Sequence, residues 1–174
     1  ALTELIENRS TNRRIILLSV SAFLQRVPAR SVFKDTVLTI SKKDEFSRDN
    51  LLEYLDKNGY GRTETVMEPG EYSLRGGIID LFPPGQKHPV RLDIFGDDLE
   101  SIRTFDPLSQ LSSGTLKEFS LRPVQEFWLD NDSITRFRTG YRELFGAKKE
   151  TDPLYEAISD GRTHIGMEHW LPLF

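Results

Sequence analysis

EPGEYSLRGGIIDLFP, residues 68–83, and VRLDIFGDD, residues 90–98, are predicted to form an antiparallel strand meander. Pro69-Gly70 suits the two central positions of a type II turn, because proline presets a negative φ and glycine takes the positive one. That turn predicts a hairpin between residues 63–67 and 71–75. The meander is the centre of the predicted fold, and the rest of the chain is interpreted around it.

Further turn signals divide the meander into strands. Gly76-Gly77 interrupts the pattern and predicts a bulge or bend. The apolar run at residues 78–82 then predicts another strand, which ends at Pro83-Pro84-Gly85. A Gly-Asp-Asp sequence at residues 96–98 predicts a hairpin turn after a strand at residues 90–95. These turns fix which side chains share a face of the sheet.

Alternation along the strands assigns side chains to two faces. On the inner face we expect the apolar side chains of the two clearest strands, Tyr72, Leu74, Val90, Leu92 and Ile94. On the opposite, solvated face we expect a mixed set, Glu71, Ser73, Arg75, Arg91, Asp93 and Phe95. An antiparallel sheet commonly has one solvated face, but an aromatic residue between charges on that face is less usual.

Arg75, Arg91 and Phe95 are therefore candidates for a partner-binding site. Arginine and aromatic residues are enriched among binding hot spots, because each offers a large contact area with a directional polar or π component. The competing interpretation is that Phe95 lies under a neighbouring loop and that the arginines pair with nearby aspartates. Those aspartates are Asp93, Asp97 and Asp98. The residues alone leave both interpretations open.

The segment before the meander predicts two different kinds of structure. The apolar run at residues 15–20 suits a buried parallel strand of an α/β domain. A short strand at residues 37–40 precedes a helix at residues 48–58, which Ser47 caps and Gly59 ends. We expect the leucine face of this helix to pack on the inner face of the meander.

The segment after the meander changes from strands to helices. Strands are predicted at residues 99–105 and near residues 116–121. After Pro123, apolar residues recur at helical spacing over residues 134–145. Asp152-Pro153 predicts the start of another helix, with aspartate as N-cap and proline in the first turn. The predicted fold class is α+β.

Composition limits the function classes. The 174 residues are 37% hydrophobic, which supports one good core or two small ones, and the net charge of −4 argues against a dedicated nucleic-acid binder. The absence of cysteine removes disulfides and zinc sites built on sulfur and is compatible with the cytosol. No apolar run approaches the roughly 20 residues that a membrane span needs, so we expect a cytoplasmic protein without a membrane partner. A start at Ala1 predicts a fragment of a longer chain.

Two long runs carry a resemblance to a known family. EPGEYSLRGGIIDLFPPG at residues 68–85 and PVRLDIFGDDLESIRTFDPLSQ at residues 89–110 closely resemble the bacterial transcription-repair coupling factors and, more distantly, the excision-repair subunit UvrB. Residues 15–33 and 166–174 are similar to the same family. The resemblance thus covers essentially the whole chain.

The resemblance implies a domain organisation. It implies a UvrA-binding module, an antiparallel meander with a packed helix, inserted between parts of an incomplete α/β UvrB-like domain. Residues 1–36 would be the C-terminal part of truncated domain 1a, residues 37–122 the UvrA-binding domain 2, and residues 123–174 the truncated start of the helical or α/β domain 1b.

The resemblance also implies a function without catalysis. The fragment would recruit UvrA to stalled transcription complexes in transcription-coupled nucleotide excision repair, and the contact residues of the family correspond to Arg75, Arg91 and Phe95. Other partners would be the remaining domains of the parent protein, through which it would reach RNA polymerase and DNA. We expect that Arg91→Glu weakens UvrA binding and leaves the fold intact, and that Phe95→Ala barely changes stability.

Neither a cofactor nor an ATPase activity is expected of these residues. The parent would be an ATP-dependent DNA translocase, but no G-x-x-x-x-G-K-[ST] loop is present in this sequence to hold phosphates. An alternative function stays open, in which the chain is a UvrB-like fragment that contacts damaged DNA directly.

Four further groups of residues suggest other roles, each with a simpler explanation. A metal-dependent nuclease would need converging carboxylates, and the candidates are Asp80, Asp93, Asp97 and Asp98. A zinc site would use His164, Glu168 and His169, although the histidine spacing fits one helix face poorly.

A weak contact to the DNA backbone would use Arg136, Arg138 and Arg142, whereas a solvated helix face is the simpler interpretation. Core packing or an interface with missing domains, and not base stacking, is expected of Trp128 and Trp170.

Overall fold

A computed structural model describes residues 15–24, 27, 33, 36–42, 45–125, 127–146 and 152–174. These residues divide into two compact units. One lies within residues 31–125, and the other consists of the described parts of residues 9–30 and 126–174. The family-derived domain boundaries after residues 36 and 122 stay predictions.

The described elements follow a mixed order of helices and strands. They are α1 (Val20–Leu24), β1 (Leu38–Ser41), α2 (Arg48–Lys57), β2 (Gly61–Arg62), β3 (Glu71–Arg75), β4 (Ile78–Leu81), β5 (Val90–Phe95), β6 (Asp98–Phe105), β7 (Ser112–Leu116), β8 (Glu118–Leu121), α3 (Asn131–Phe145), α4 (Pro153–Ser159) and a closing 3-10 helix (Met167–Leu173).

Two sheets build the first unit. Six strands form the main sheet in the order β2-β3-β4-β5-β6-β7, and β1 pairs with β8 in a separate ribbon. Every neighbouring pair is antiparallel except β2 and β3, which run parallel. The predicted α+β class with an antiparallel meander is confirmed.

Helix α2 covers the inner face of the main sheet, as the sequence predicts. The Ser47 side chain accepts a hydrogen bond from the backbone N–H of Asn50 at 3.3 Å, which caps the first turn. Gly59, with φ +80°, ends the helix in the left-handed region. Leu51 and Leu55 are buried in the core that α2 shares with strands β3 to β6.

A buried tyrosine fastens this helix to the sheet. The Tyr72 hydroxyl on β3 donates to the Asp56 carboxylate on α2 at 2.8 Å. Burial and then this hydrogen bond raise the pKa of Tyr72, because both favour the neutral phenol. The same side chain therefore supplies apolar packing and a directional bond.

Strand β6 contains a bulge that the sequence pattern does not predict. Asp93 pairs with Ser101 and Ile94 pairs with Leu99, so Glu100 is an extra residue on β6. The extra residue reverses the alternation and turns Leu99 into the core, where it is buried. Glu100 itself is exposed.

The predicted type II turn is present, but the hairpin assigned to it is wrong. The Glu71 N–H donates to the Glu68 carbonyl at 3.2 Å, and Gly70 has φ +95°. Residues 63–70 form a loop, and the strand beside β3 is the parallel β2.

The Glu71 side chain explains why this loop is closed instead of extended. Its carboxylate accepts the backbone N–H groups of Met67 and Glu68 at 2.8 and 2.9 Å. These bonds hold residues 67–68 against the start of β3. In an antiparallel hairpin, the same residues would instead extend alongside β3 as a neighbouring strand.

The outer face of the sheet is only partly solvated, which corrects the sequence-based expectation. Ser73 and Asp80 on this face are buried. A second apolar cluster lies on the same face and consists of Val66, Phe82 and Phe105. Loop 63–70 and loop 106–111 cover it, and the Gln110 side-chain amide donates to the Val66 carbonyl between the two loops at 3.2 Å. Alternation assigns a side chain to a face but does not reveal which loops fold over that face.

The second unit contains the predicted helices. Asp130 caps α3 by accepting the N–H of Ser133 at 2.7 Å, and Gly146, with φ +77°, ends the helix. Asp152 caps α4, whose first residue is proline. An apolar cluster in this unit contains four buried side chains, Phe137, Tyr155, Ile158 and Met167.

The predicted buried strand at residues 15–20 is wrong. Residues 15–19 have no regular structure, α1 begins at Val20, and the side chains of Ile15 and Leu17 are 90% exposed. A central parallel strand needs neighbouring strands on both sides. Among the described residues, no strand pairs with residues 15–20. Over the same described residues, no helix has the length and apolar character to cross a membrane.

Candidate partner-binding face

Two hairpin turns lie side by side at one end of the main sheet. The predicted bend at Gly76-Gly77 is a two-residue turn, because Arg75 pairs directly with Ile78. The backbone N–H of Ile94 on β5 donates to the Gly77 carbonyl at 2.7 Å. A Cβ atom at Gly77 would lie 2.4 Å from the Ile94 carbonyl oxygen, so only glycine permits this approach. The close contact ties the β3–β4 turn to β5.

Phe95 lies at the tip of the β5–β6 hairpin. Phe95 pairs with Asp98 across a turn that includes Gly96, whose φ is +61°. The Phe95 side chain is 78% exposed. The interpretation that placed Phe95 under a neighbouring loop is therefore wrong, and its predicted outward orientation is confirmed. We call the outer face at this end, formed by Arg75, Asp80, Arg91, Asp93 and Phe95, the candidate face.

Asp80 is the centre of the candidate face. Its carboxylate is fully buried and accepts hydrogen bonds from two arginines. Arg91 donates from Nε to Oδ1 at 2.6 Å and from Nη2 to Oδ2 at 2.9 Å, and Arg75 Nη2 donates to Oδ2 at 2.5 Å. The register explains the convergence, since Asp80 pairs directly with Arg91 on β5. The arginines thus pair with Asp80 and not with the aspartates that the sequence suggested.

Arg91 is far more constrained than its position on the outer face suggests. Its side chain is only 14% exposed. Besides the fork on Asp80, its Nη1 donates to the Gln110 carbonyl at 3.3 Å, and its guanidinium carbon lies 4.7 Å from the centroid of the Phe105 ring. Hydrogen bonding to Asp80 is the main reason that the pKa of Arg91 is raised, against the opposing effect of burial.

This environment corrects the expectation that Arg91→Glu leaves the fold intact. The substitution would place a second carboxylate beside the buried Asp80 carboxylate and remove its principal partner. Arg75 differs, because its side chain is 50% exposed and makes one hydrogen bond to Asp80. The two arginines therefore share one acceptor but have different freedom to meet a partner.

A second ion pair flanks the first. Arg103 on β6 donates to both oxygens of Asp93 at 2.8 and 2.9 Å, and the Ser101 hydroxyl donates to the same carboxylate. Three arginines and two aspartates of these networks leave an excess of one positive charge. With Arg103 counted, the candidate face and its flanking ion pair thus combine a net charge of +1 with one exposed aromatic ring.

Several of the residues considered for metal chemistry have other contacts or positions in the structure. Asp80 and Asp93 accept from arginines, Asp97 lies in the exposed β5–β6 turn, and Asp98 is the exposed first residue of β6. No group of three or more His, Cys, Asp or Glu side chains in the described part of the chain is placed to hold a metal ion. His164 Nδ1 lies 2.6 Å from the Ile165 carbonyl oxygen.

The arginines and tryptophans of the second unit have local contacts. Arg136 Nε donates to the Phe174 carbonyl at 3.0 Å, and Arg142 Nε donates to the Tyr155 hydroxyl at 3.2 Å. The Trp170 ring lies against Phe145 at a centroid distance of 5.4 Å and packs on the apolar cluster. This packing agrees with the expectation for Trp170, and the DNA contact of the arginines stays a prediction.

Sequence reasoning missed the part played by Asp80. From the sequence, Asp80 is only one of four candidate carboxylates for a metal-dependent nuclease. The signal was its place between two outward arginines on neighbouring strands, since a buried carboxylate needs paired cations.

Comparison with known proteins adds the family. The model of the UvrB interaction domain matches residues 38–127, which is just over half of the chain. The transcription-repair-coupling factor of Escherichia coli (strain K12) is 36% identical over 173 residues, which are 99% of this chain and 15% of that protein.

Other coupling factors give similar values. The transcription-repair-coupling factor of Haemophilus influenzae is 37% identical over 174 residues, which are 99% of this chain and 15% of that protein. The one from Bacillus subtilis (strain 168) is 36% identical over 121 residues, which are 68% of this chain and 10% of that protein. The chain spans about 15% of the length of the first of these relatives. The chain belongs to the UvrB interaction domain family, and the matched region is an interaction domain of the coupling-factor type, not the motor region.

Proposed function

We propose that this chain is the part of a transcription-repair coupling factor that binds UvrA and thereby recruits excision repair to stalled transcription complexes. The membership in the UvrB interaction domain family and the similarity to coupling factors over 99% of the chain support this function. In this proposal RNA polymerase and DNA are contacted by other parts of the parent protein.

The observation that carries the proposal is the exposure of Phe95 on a rigid support. An aromatic ring that is 78% exposed in the free chain offers a large apolar area for burial against a partner. The two-residue turn and the contact between Gly77 and Ile94 fix the backbone next to the ring. A backbone that is already ordered loses little conformational entropy when the ring binds, which favours a hot spot.

Arg75 supplies the polar part of the proposed contact. A guanidinium has five N–H donors, and one of them donates to Asp80. With half of the side chain exposed, the remaining donors are available to a partner carboxylate. Charge complementarity of this kind sets orientation and association rate more than affinity.

Arg91 has a different proposed role at the same site. Its exposed edge is small, so its direct contact area with a partner is small as well. We assign it chiefly to positioning, because its fork holds the Asp80 carboxylate that in turn orients Arg75. Arg75, Arg91 and Phe95 then act as one site with two contacting side chains and one support.

Calorimetric titration of the chain into purified UvrA tests this function. We expect Phe95→Ala to weaken binding at least tenfold, or about 1.4 kcal/mol, and Arg75→Ala to weaken it less. Leu108→Ala is the matched control, because Leu108 is an equally exposed apolar side chain of the same unit that lies on a loop outside the candidate face. The proposal fails when the folded parent chain does not bind UvrA, or when Phe95→Ala and Leu108→Ala have the same dissociation constant.

A further inference from the structure

Strand β3 leaves part of its outer edge without a neighbour. Strand β2 has only two residues and pairs with Glu71 and Tyr72. The Thr63 N–H then donates to the Tyr72 carbonyl at 2.8 Å, and the Thr63 hydroxyl donates to the Thr65 carbonyl as the chain turns away. The coverage of the β3 edge therefore ends at Tyr72.

Leu74 presents its backbone polar groups to this open edge. The Tyr72 carbonyl points toward β2, and backbone groups alternate between the two sides of a strand with a period of two. The N–H and C=O of Leu74 consequently point to the same side as those of Tyr72. Among the described residues, no strand lies on that side of Leu74.

A groove lies alongside this edge. It has a volume of about 410 Å³ and is lined by Arg62, Thr63, Glu64, Leu74 and Arg75. Leu74 is half-buried, and the other lining residues include two arginines against one glutamate. The groove therefore favours an acidic occupant over a basic one. Arg75 belongs to both the groove and the candidate face.

The opposite edge of the sheet is less suited to strand addition. Strand β7 carries a bulge, since Thr104 pairs with Gly114 and Phe105 with Ser112. Its residues 112–115 are small, polar and exposed. A bulged edge resists the addition of another strand, whereas the end of β3 pairs regularly with β4 as far as Arg75.

We infer that the partner adds a short extended segment to the β3 edge, beside the candidate face. The segment pairs with the N–H and C=O of Leu74 and places a carboxylate in the groove that Arg62 and Arg75 line. Main-chain pairing of this kind supplies affinity, and the side-chain groove supplies specificity. This inference rests on the proposed function, because it names the recognition mode of the UvrA-binding site.

Hydrogen exchange of the Leu74 amide gives the direct test. Exchange of the chain alone and of the chain saturated with UvrA is followed by mass spectrometry with fragmentation to single amides. We expect exchange at Leu74 to slow at least tenfold in the complex, because its N–H gains an acceptor. The amide of Ser113, on the β7 edge, serves as the control and should not change.

Two substitutions at one position separate the main-chain contact from side-chain packing. Leu74→Ala and Leu74→Pro both shorten the side chain, but only proline removes the N–H. Proline is tolerated where a strand N–H faces outward. We expect both variants to fold by circular dichroism and the proline variant to bind UvrA at least tenfold more weakly than the alanine variant.

The outcomes distinguish this inference from the proposed function. When UvrA binds the parent chain but Leu74 exchange is unchanged and the two Leu74 variants bind equally, strand addition is refuted and UvrA binding stands. When the folded parent chain does not bind UvrA, both are refuted.

Discussion

Replacing Arg91 by alanine should destabilise the first unit far more than replacing Arg75. Arg91 donates two hydrogen bonds to the fully buried Asp80 carboxylate and a third to the Gln110 carbonyl, and it packs over Phe105. Its removal leaves Asp80 with one half-exposed partner. Arg75→Ala leaves the fork of Arg91 on Asp80 intact.

The size of the effect follows from the burial of Asp80. Removing one partner of a buried ion pair costs about 3–5 kcal/mol. Because Arg75 still donates one hydrogen bond, we expect the lower end, about 3 kcal/mol, for Arg91→Ala. For Arg75→Ala we expect about 1 kcal/mol or less, since the contact is half-exposed and Asp80 stays paired.

Urea unfolding followed by far-ultraviolet circular dichroism measures both variants. Tryptophan fluorescence is unsuitable, because Trp128 and Trp170 both belong to the second unit. Asp80→Asn combined with Arg91→Ala should recover part of the loss, about 1 kcal/mol or more, since it removes the unpaired buried charge. Equal losses below about 1 kcal/mol for Arg91→Ala and Arg75→Ala would refute the reasoning.

Three further outcomes can be measured. Phe95→Ala should change the free energy of unfolding by less than about 0.5 kcal/mol, because the side chain is exposed; a loss of several kcal/mol would show that the ring is buried. Gly77→Ala should destabilise the first unit by about 2 kcal/mol or more through its backbone clash, and Gly76→Ala by about 1 kcal/mol through its positive φ alone; urea midpoints compare the two, and equal losses would contradict the clash. The hydrogen bond to Asp152 raises the pKa of Tyr141 from 10.0 to about 12. The corresponding stabilisation is present below pH 10 and is lost as pH rises through 12, so tyrosinate absorbance should show a late-titrating group that Tyr141→Phe removes; identical titrations would contradict this.

The sequence predicted most of the elements of the first unit because their signals are local. Ser47 and Gly59 mark the start and the end of α2, Pro69-Gly70 forms the expected turn, and the strand at residues 90–95 has the predicted limits. Alternation also placed Phe95 outward. Each of these features depends on a few neighbouring residues, so the pattern contains the necessary information.

The errors arise where residues distant in sequence decide the structure. The Glu100 bulge depends on pairing with β5, and the burial of Arg91 depends on the loop that carries Gln110. The apolar run at residues 15–20 met the compositional rule for a buried strand but lacks strand neighbours among the described residues. A local sequence pattern does not show which distant residues the fold brings into contact.

The proposed roles of the candidate face follow a similar division. The positions of Arg75, Arg91 and Phe95 on one face follow from alternation. The difference between a half-exposed Arg75 and a constrained Arg91 follows only from the shared Asp80 carboxylate. Their contact with UvrA rests on family resemblance and stays a prediction.

The pairing of β1 with β8 brings the chain into and out of the first unit at neighbouring points. Leu38 and Leu121 are direct partners in that ribbon, and paired residues in antiparallel strands lie about 5 Å apart. A recipient protein that accepted residues 38–121 in an exposed turn would therefore gain a loop whose ends are already closed. The folding of the inserted segment itself brings the two ends together, so the recipient does not bear the entropy cost of closing a long loop. The recipient should therefore keep nearly its own free energy of unfolding. Residues 38–121 are in this respect suited to insertion into another protein.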